Sequence, residues 1–124
     1  MGGLLDLSRI PVCALATWRH RCGGGFHQHH VVNRSKLQKN DEARRVCERR
    51  HPEIFMATVC GNANVGRLAD FGEAQAILLT GKIALFGEEY VRGVWAAFAD
   101  LWIVRPRLDG ILYNLPEDAP RSLA

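Results

Sequence analysis

Apolar residues in the second half of the chain recur at helical spacing. The clearest segment is Glu88–Val104, in which one continuous sector at 100° per residue is apolar and the opposite sector is charged. Pro106 ends this segment. The apolar sector comprises Tyr90, Val91, Val94, Trp95, Ala97, Phe98, Leu101 and Trp102. The pattern therefore predicts an amphipathic helix with a buried aromatic face.

The preceding segment, Asn64 to Phe86, also places its apolar residues on one helical face. Gly81 weakens the middle of this helix, so the chain can break there. Short apolar runs do not separate helix from strand, and a β-hairpin of Ala76–Leu79 and Ile83–Phe86 remains an alternative.

Two shorter helices are predicted upstream. Asp41–Arg50 follows Asn40, a good N-cap residue, and must end near His51 because Pro52 biases its predecessor away from helical geometry. Glu53–Cys60 is predicted to form a second short helix.

The organisation expected from these elements is all-α, either a small helical bundle or an α-hairpin repeat. Residues 1–39 form an irregular basic arm, residues 40–115 the helical domain, and residues 116–124 a tail. A chain of 124 residues is long enough for one such domain with its own core.

One stretch suggests an internal repeat. Gln75–Gly81 lies 34 residues before Asp109–Leu115 with a matching apolar pattern. Residues 74–115 resemble the tetratricopeptide repeat in their small and aromatic positions, and a 31-residue echo of Asp41–Val46 is similar to the pentatricopeptide family. The first resemblance implies helix–turn–helix units, and the second implies a relation to proteins that bind RNA in organelles. Ala84, where a large aromatic is usual, departs from the pattern.

The net charge of +3 is concentrated in the first part of the chain. Between Asp6 and Asp41 there are six Lys or Arg residues, four of the five histidines and no acid. Such a segment is typical of an organelle presequence, so we expect a mitochondrial protein, with a cytoplasmic location as the alternative.

Metal-ligating residue types occur in one region. Cys22, His27, Cys47 and His51 are the candidate ligands, because zinc takes four thiolate or imidazole ligands and Cys47 and His51 share a helix face at i, i+4 spacing. The spacing is not that of a zinc finger, so the sequence favours no cofactor and leaves zinc as an alternative.

Catalytic and membrane signatures are missing from the sequence. It holds no nucleophile elbow and no phosphate-binding loop. No uncharged stretch reaches the length of a membrane span. We therefore expect neither an enzyme, nor a small-molecule substrate, nor a transmembrane helix.

The function expected from these features is that of a non-catalytic accessory or scaffold subunit that binds other protein subunits. Its partner-binding residues would be Trp95, Phe98 and Trp102 on one helix, with Arg45 and Arg49 on another. An RNA-binding helical-repeat protein is the alternative, and a zinc-dependent binding module is the third option.

Overall fold

The fold mixes helices with a small antiparallel sheet. A computed structural model describes residues 12–37, 39–101 and 107–120. The strands are β1 (Phe26–His30) and β2 (Met56–Cys60), and the helices are α1 (Arg34–Leu37), α2 (Asp41–Arg45), α3 (Pro52–Phe55), α4 (Gly61–Val65), α5 (Gly72–Phe86), α6 (Glu88–Ala99) and α7 (Leu108–Leu112). A π-helical turn, Val46–Arg50, continues α2, and a 3-10 turn, Leu68–Asp70, precedes α5.

The sheet shows that the all-α expectation was wrong. β1 and β2 pair in antiparallel register from Phe26 opposite Cys60 to His30 opposite Met56. The predicted helix Glu53–Cys60 is instead a single turn, α3, followed by β2. The backbone groups of β2 are satisfied by a partner thirty residues upstream, which local periodicity does not register.

The segment expected to be an irregular arm also contributes to the core. Its described part supplies strand β1, helix α1 and several buried apolar side chains, among them Leu15 and Trp18. The backbone N–H of Ala14 donates to the carbonyl of Thr58 at 2.8 Å, which attaches the segment to β2.

The two longest helices form a hairpin. α5 and α6 meet at Gly87, whose φ of +91° is accessible to glycine without strain. Residues 72–86 are helical, so the β-hairpin alternative was wrong, whereas the predicted helix start at Glu88 is confirmed. The predicted end of that helix, Val104, lies outside the described residues.

Aromatic side chains join the hairpin to the sheet. The ring of Phe55, which precedes β2, lies 4.5 Å from that of Phe98 and 5.5 Å from that of Trp95. All three residues are buried. This packing fixes β2 against α6 and thereby sets the position of Cys60 at the end of the strand.

Candidate metal centre

Three cysteines and one histidine converge beyond the end of β2. The ligand atoms of Cys13, His20, Cys22 and Cys60 all lie within 4.8 Å of one another. The histidine nitrogen Nε2 is 3.4 Å from the Sγ of Cys22 and 3.8 Å from that of Cys13. Three of the ligands come from residues 13–22, and Cys60 comes from the strand.

The sheet register brings Cys22 to Cys60. Because Phe26 pairs with Cys60, the glycine triplet before Phe26 runs past the end of β2. Two backbone bonds close the junction, from the N–H of Gly61 to Gly25 (2.9 Å) and from that of Asn62 to Gly23 (3.0 Å).

Glycine is required at this crossing. A Cβ on Gly61 would stand 2.2 Å from the carbonyl oxygen of Gly24, which is backbone and cannot move aside. Gly24 itself has a φ of +79°. The glycines of this region therefore serve the close approach of two backbones, which carries Cys22 to the cluster.

Residues 13–20 fold into successive tight turns. Ala16 and Arg19 have φ values of +50° and +51°, a conformation that residues with a side chain adopt at a cost of about 1–3 kcal/mol each. The Arg19 guanidinium offsets part of this cost, since it pairs with Asp118 at 3.0 Å and Glu73 at 3.2 Å. These turns present Cys13 and His20 on the same side as Cys22.

The His20 ring is oriented by a bond to the backbone. Its Nδ1 lies 2.6 Å from the carbonyl oxygen of Trp18, and a carbonyl accepts only from a protonated nitrogen. Nδ1 therefore carries a proton, and Nε2, which lies toward Cys22 and Cys13, is the nitrogen that the neutral ring could offer to a cation. This arrangement is the one that metal-ligating histidines show in proteins.

The thiols differ in acidity. Burial raises the pKa of Cys60, but the backbone N–H groups of Ala63 and Gly23, together with His20 and Cys22, outweigh it and bring that pKa to about 6. Burial and the neighbouring Cys13 raise the pKa of Cys22 to about 12. The cluster thus stabilises one thiolate readily, and a bound cation would stabilise the others.

The cluster includes one of the four ligands expected from the sequence, Cys22. The Nδ1 of His27 contacts Asn64 Nδ2 at 2.8 Å, and the Nδ1 of His51 pairs with Glu53 at 2.9 Å. Cys47 is buried in the core, where burial raises its pKa to about 12.

The sequence interpretation missed Cys13, His20 and Cys60. Their signal is the spacing Cys13-x6-His20-x-Cys22 followed by a cysteine directly before Gly61. That spacing belongs to no standard zinc finger, so it becomes informative only once the strands are paired.

The residues expected to bind a partner lie elsewhere. Trp95 and Phe98 are buried at 3% and 0% exposure, so their rings belong to the core. Trp102 lies outside the described residues. Arg45 pairs with Glu42 at 2.7 Å, and Arg49 lines a shallow surface pocket beside it.

Comparison with known proteins adds no relative. No family model, no curated protein and no solved structure matches the chain. Within the described ranges, every helix is too short or too polar to cross a membrane.

Proposed function

We propose that this chain is a zinc-dependent binding module in which Cys13, His20, Cys22 and Cys60 hold a structural zinc ion. The observation that carries the proposal is the convergence of three sulfurs and one imidazole nitrogen within 4.8 Å. A Cys3His set is one of the common structural zinc sites.

The distances support a tetrahedral ion. With zinc bonds of about 2.3 Å to sulfur and 2.0–2.1 Å to nitrogen, tetrahedral geometry separates sulfur from nitrogen by roughly 3.5 Å. The two distances from His20 to the cysteines, 3.4 and 3.8 Å, bracket that value. Small side-chain rotations would then complete the site.

The donor set also favours a structural role over a catalytic one. Four protein ligands fill the tetrahedral shell, whereas catalytic zinc keeps one position open for water or substrate. The module would therefore act by contact, which agrees with the expectation of a non-catalytic subunit.

The ion would attach the N-terminal segment to the sheet. Residues 13–22 hold few regular backbone hydrogen bonds, yet they bury Leu15 and Trp18 against the core. Joining Cys13, His20 and Cys22 to Cys60 links this segment to β2. Structural zinc supplies about 10–16 kcal/mol of apparent binding energy, as much as the whole stability of a typical domain.

RNA binding receives less support from the geometry. Arg44 pairs with Glu48 at 2.9 Å, and Arg45 pairs with Glu42 at 2.7 Å. These ion pairs neutralise much of the basic patch that the RNA alternative needs.

Native mass spectrometry of the full chain tests the proposal. We expect one zinc ion per chain for the wild type and for Cys47→Ala, which removes the cysteine outside the cluster. We expect none for Cys60→Ala. Cobalt substitution should give the intense visible bands of a tetrahedral thiolate site. The proposal would be contradicted by a wild-type protein that carries no zinc after expression with zinc. It would also be contradicted if Cys47→Ala lost zinc and Cys60→Ala kept it.

A further inference from the structure

A cavity lies at the opposite end of β1 from the cysteine cluster. Its volume is about 480 Å³, within the range of small-molecule sites. Its walls come from the end of β1 and from α1, the 3-10 turn, α5 and α7. Because five parts of the chain enclose it, the cavity is formed by the fold itself.

The floor of this cavity is apolar. Val31 and Val32 are buried at 3% and 5% exposure, and Ala69 and Ile111 complete the surface. A hydrocarbon group placed here would leave water without displacing any charged side chain.

Two opposite charges stand at the cavity. Lys36, an exposed residue of α1, lines the cavity and supplies the positive charge. In the described part of the chain, the cationic candidate beside the Asp70 carboxylate is the Nε2 of His29, at 3.9 Å. Burial lowers the pKa of His29, which disfavours a charged pair between this ring and Asp70.

An oriented amide adds a hydrogen-bond acceptor. Gln75 donates from Nε2 to the carbonyl of Val31 at 2.8 Å, which holds its side chain in the wall. Its Oε1 then remains to accept a bond from a ligand N–H.

We infer that this cavity binds a small zwitterion of the apolar α-amino-acid class. Lys36 would take the carboxylate, Asp70 and Gln75 the ammonium, and the two valines the side chain. A simple anion would meet the Asp70 charge and a simple amine the Lys36 charge, so the pair selects for a ligand that carries both.

Isothermal titration calorimetry of the full chain with L-leucine tests this inference. We expect saturable binding at one site per chain. L-leucinamide, which lacks the carboxylate, and 4-methylpentanoate, which lacks the ammonium, should each bind at least about tenfold more weakly. Equal affinity for the three compounds, or no binding of leucine, would overturn the inference.

Matched variants locate the site. Lys36→Met and Asp70→Asn should each weaken leucine binding by about tenfold or more, because each removes one charge-assisted bond. Lys39→Met, which changes an exposed lysine outside the cavity, should leave it unchanged. Melting curves check that the variants fold. Unaltered binding in Lys36→Met would contradict the assignment, and neither result bears on the zinc proposal.

Discussion

The N-terminal segment 12–25 and the hairpin of α5 and α6 are stabilised in different ways. The hairpin forms regular backbone hydrogen bonds and buries apolar residues from both helices, including Ile77, Leu78, Val91 and Phe98. The segment consists of turns and irregular chain, with Ala16, Arg19, Gly24 and Gly25 at positive φ, and it contains most of the cysteine cluster and the ion-paired Arg19. Helical hydrogen bonds and apolar burial stabilise the hairpin, whereas the segment buries Leu15 and Trp18 and, under the zinc proposal, would also be cross-linked to β2.

Under the zinc proposal, the largest effect should come from removing the ion with a chelator. Chelation should cost several kcal/mol of folding free energy, because structural zinc contributes about 10–16 kcal/mol of apparent binding energy. Hydrogen exchange with and without chelator measures where the loss falls. We expect the amides of residues 13–22 to lose protection first and those of α5 and α6 last. Equal loss of protection in both regions would show that the ion does not stabilise the N-terminal segment more than the hairpin.

A substitution in the core of the hairpin should lower the stability of the protein and leave the proposed zinc site intact. Phe98→Ala deletes a fully buried ring that packs on Phe55, and such deletions cost about 3–5 kcal/mol. Denaturant titration measures this cost, and native mass spectrometry should still count one zinc ion per chain under native conditions. A Phe98→Ala protein of wild-type stability would show that the hairpin does not depend on its core.

Removal of a buried lysine from the hairpin should have a smaller effect of opposite sign, an increase in stability. Lys82 is 7% exposed on α5, and burial lowers its pKa, which shows that the fold disfavours its charged form. Lys82→Met keeps the volume and removes the charge, so it should stabilise the protein by about 1 kcal/mol. Thermal unfolding checks the sign, with Lys39→Met as the exposed control. A clear loss of stability would show that the ammonium has a necessary partner.

The smallest effect concerns the pH dependence of the sheet. Burial lowers the pKa of His29 below its unfolded value, against the opposing charge of Asp70. Its contribution to stability is therefore complete above about pH 6.5 and is lost as the pH falls toward the folded pKa, since the unfolded state then binds the proton more readily. His29→Gln should reduce the change in the free energy of unfolding across this pH range, as measured by urea titration at each pH. If the free energy of unfolding of the variant varied with pH as in the wild type, groups other than His29 would cause the dependence.

Local signals in the sequence were sufficient for several helices. Asn40 caps α2, accepting from the N–H of Ala43 at 3.0 Å, and the helical region ends at His51 before Pro52 as expected. The start of α6 at Glu88 is also confirmed. These features depend on capping chemistry and amphipathic spacing, which neighbouring residues determine.

The sheet and the cluster depend on contacts that are distant in sequence. β1 contains three histidines and has no apolar alternation, and β2 forms a strand only because β1 lies beside it. Without that register, nothing in the sequence places Cys22 next to Cys60. The proposed ligand set was therefore not predictable from spacing alone, although its residues were visible in the sequence.

X-ray absorption at the zinc edge tests directly whether Cys13, His20, Cys22 and Cys60 bind zinc. We expect three sulfur atoms at about 2.3 Å and one nitrogen at about 2.0–2.1 Å around the zinc ion in the purified full chain. Cys60→Ala should not give this spectrum, and Cys47→Ala should give it unchanged. A shell of nitrogen and oxygen atoms only would contradict the assignment of Cys13, His20, Cys22 and Cys60 as the ligands.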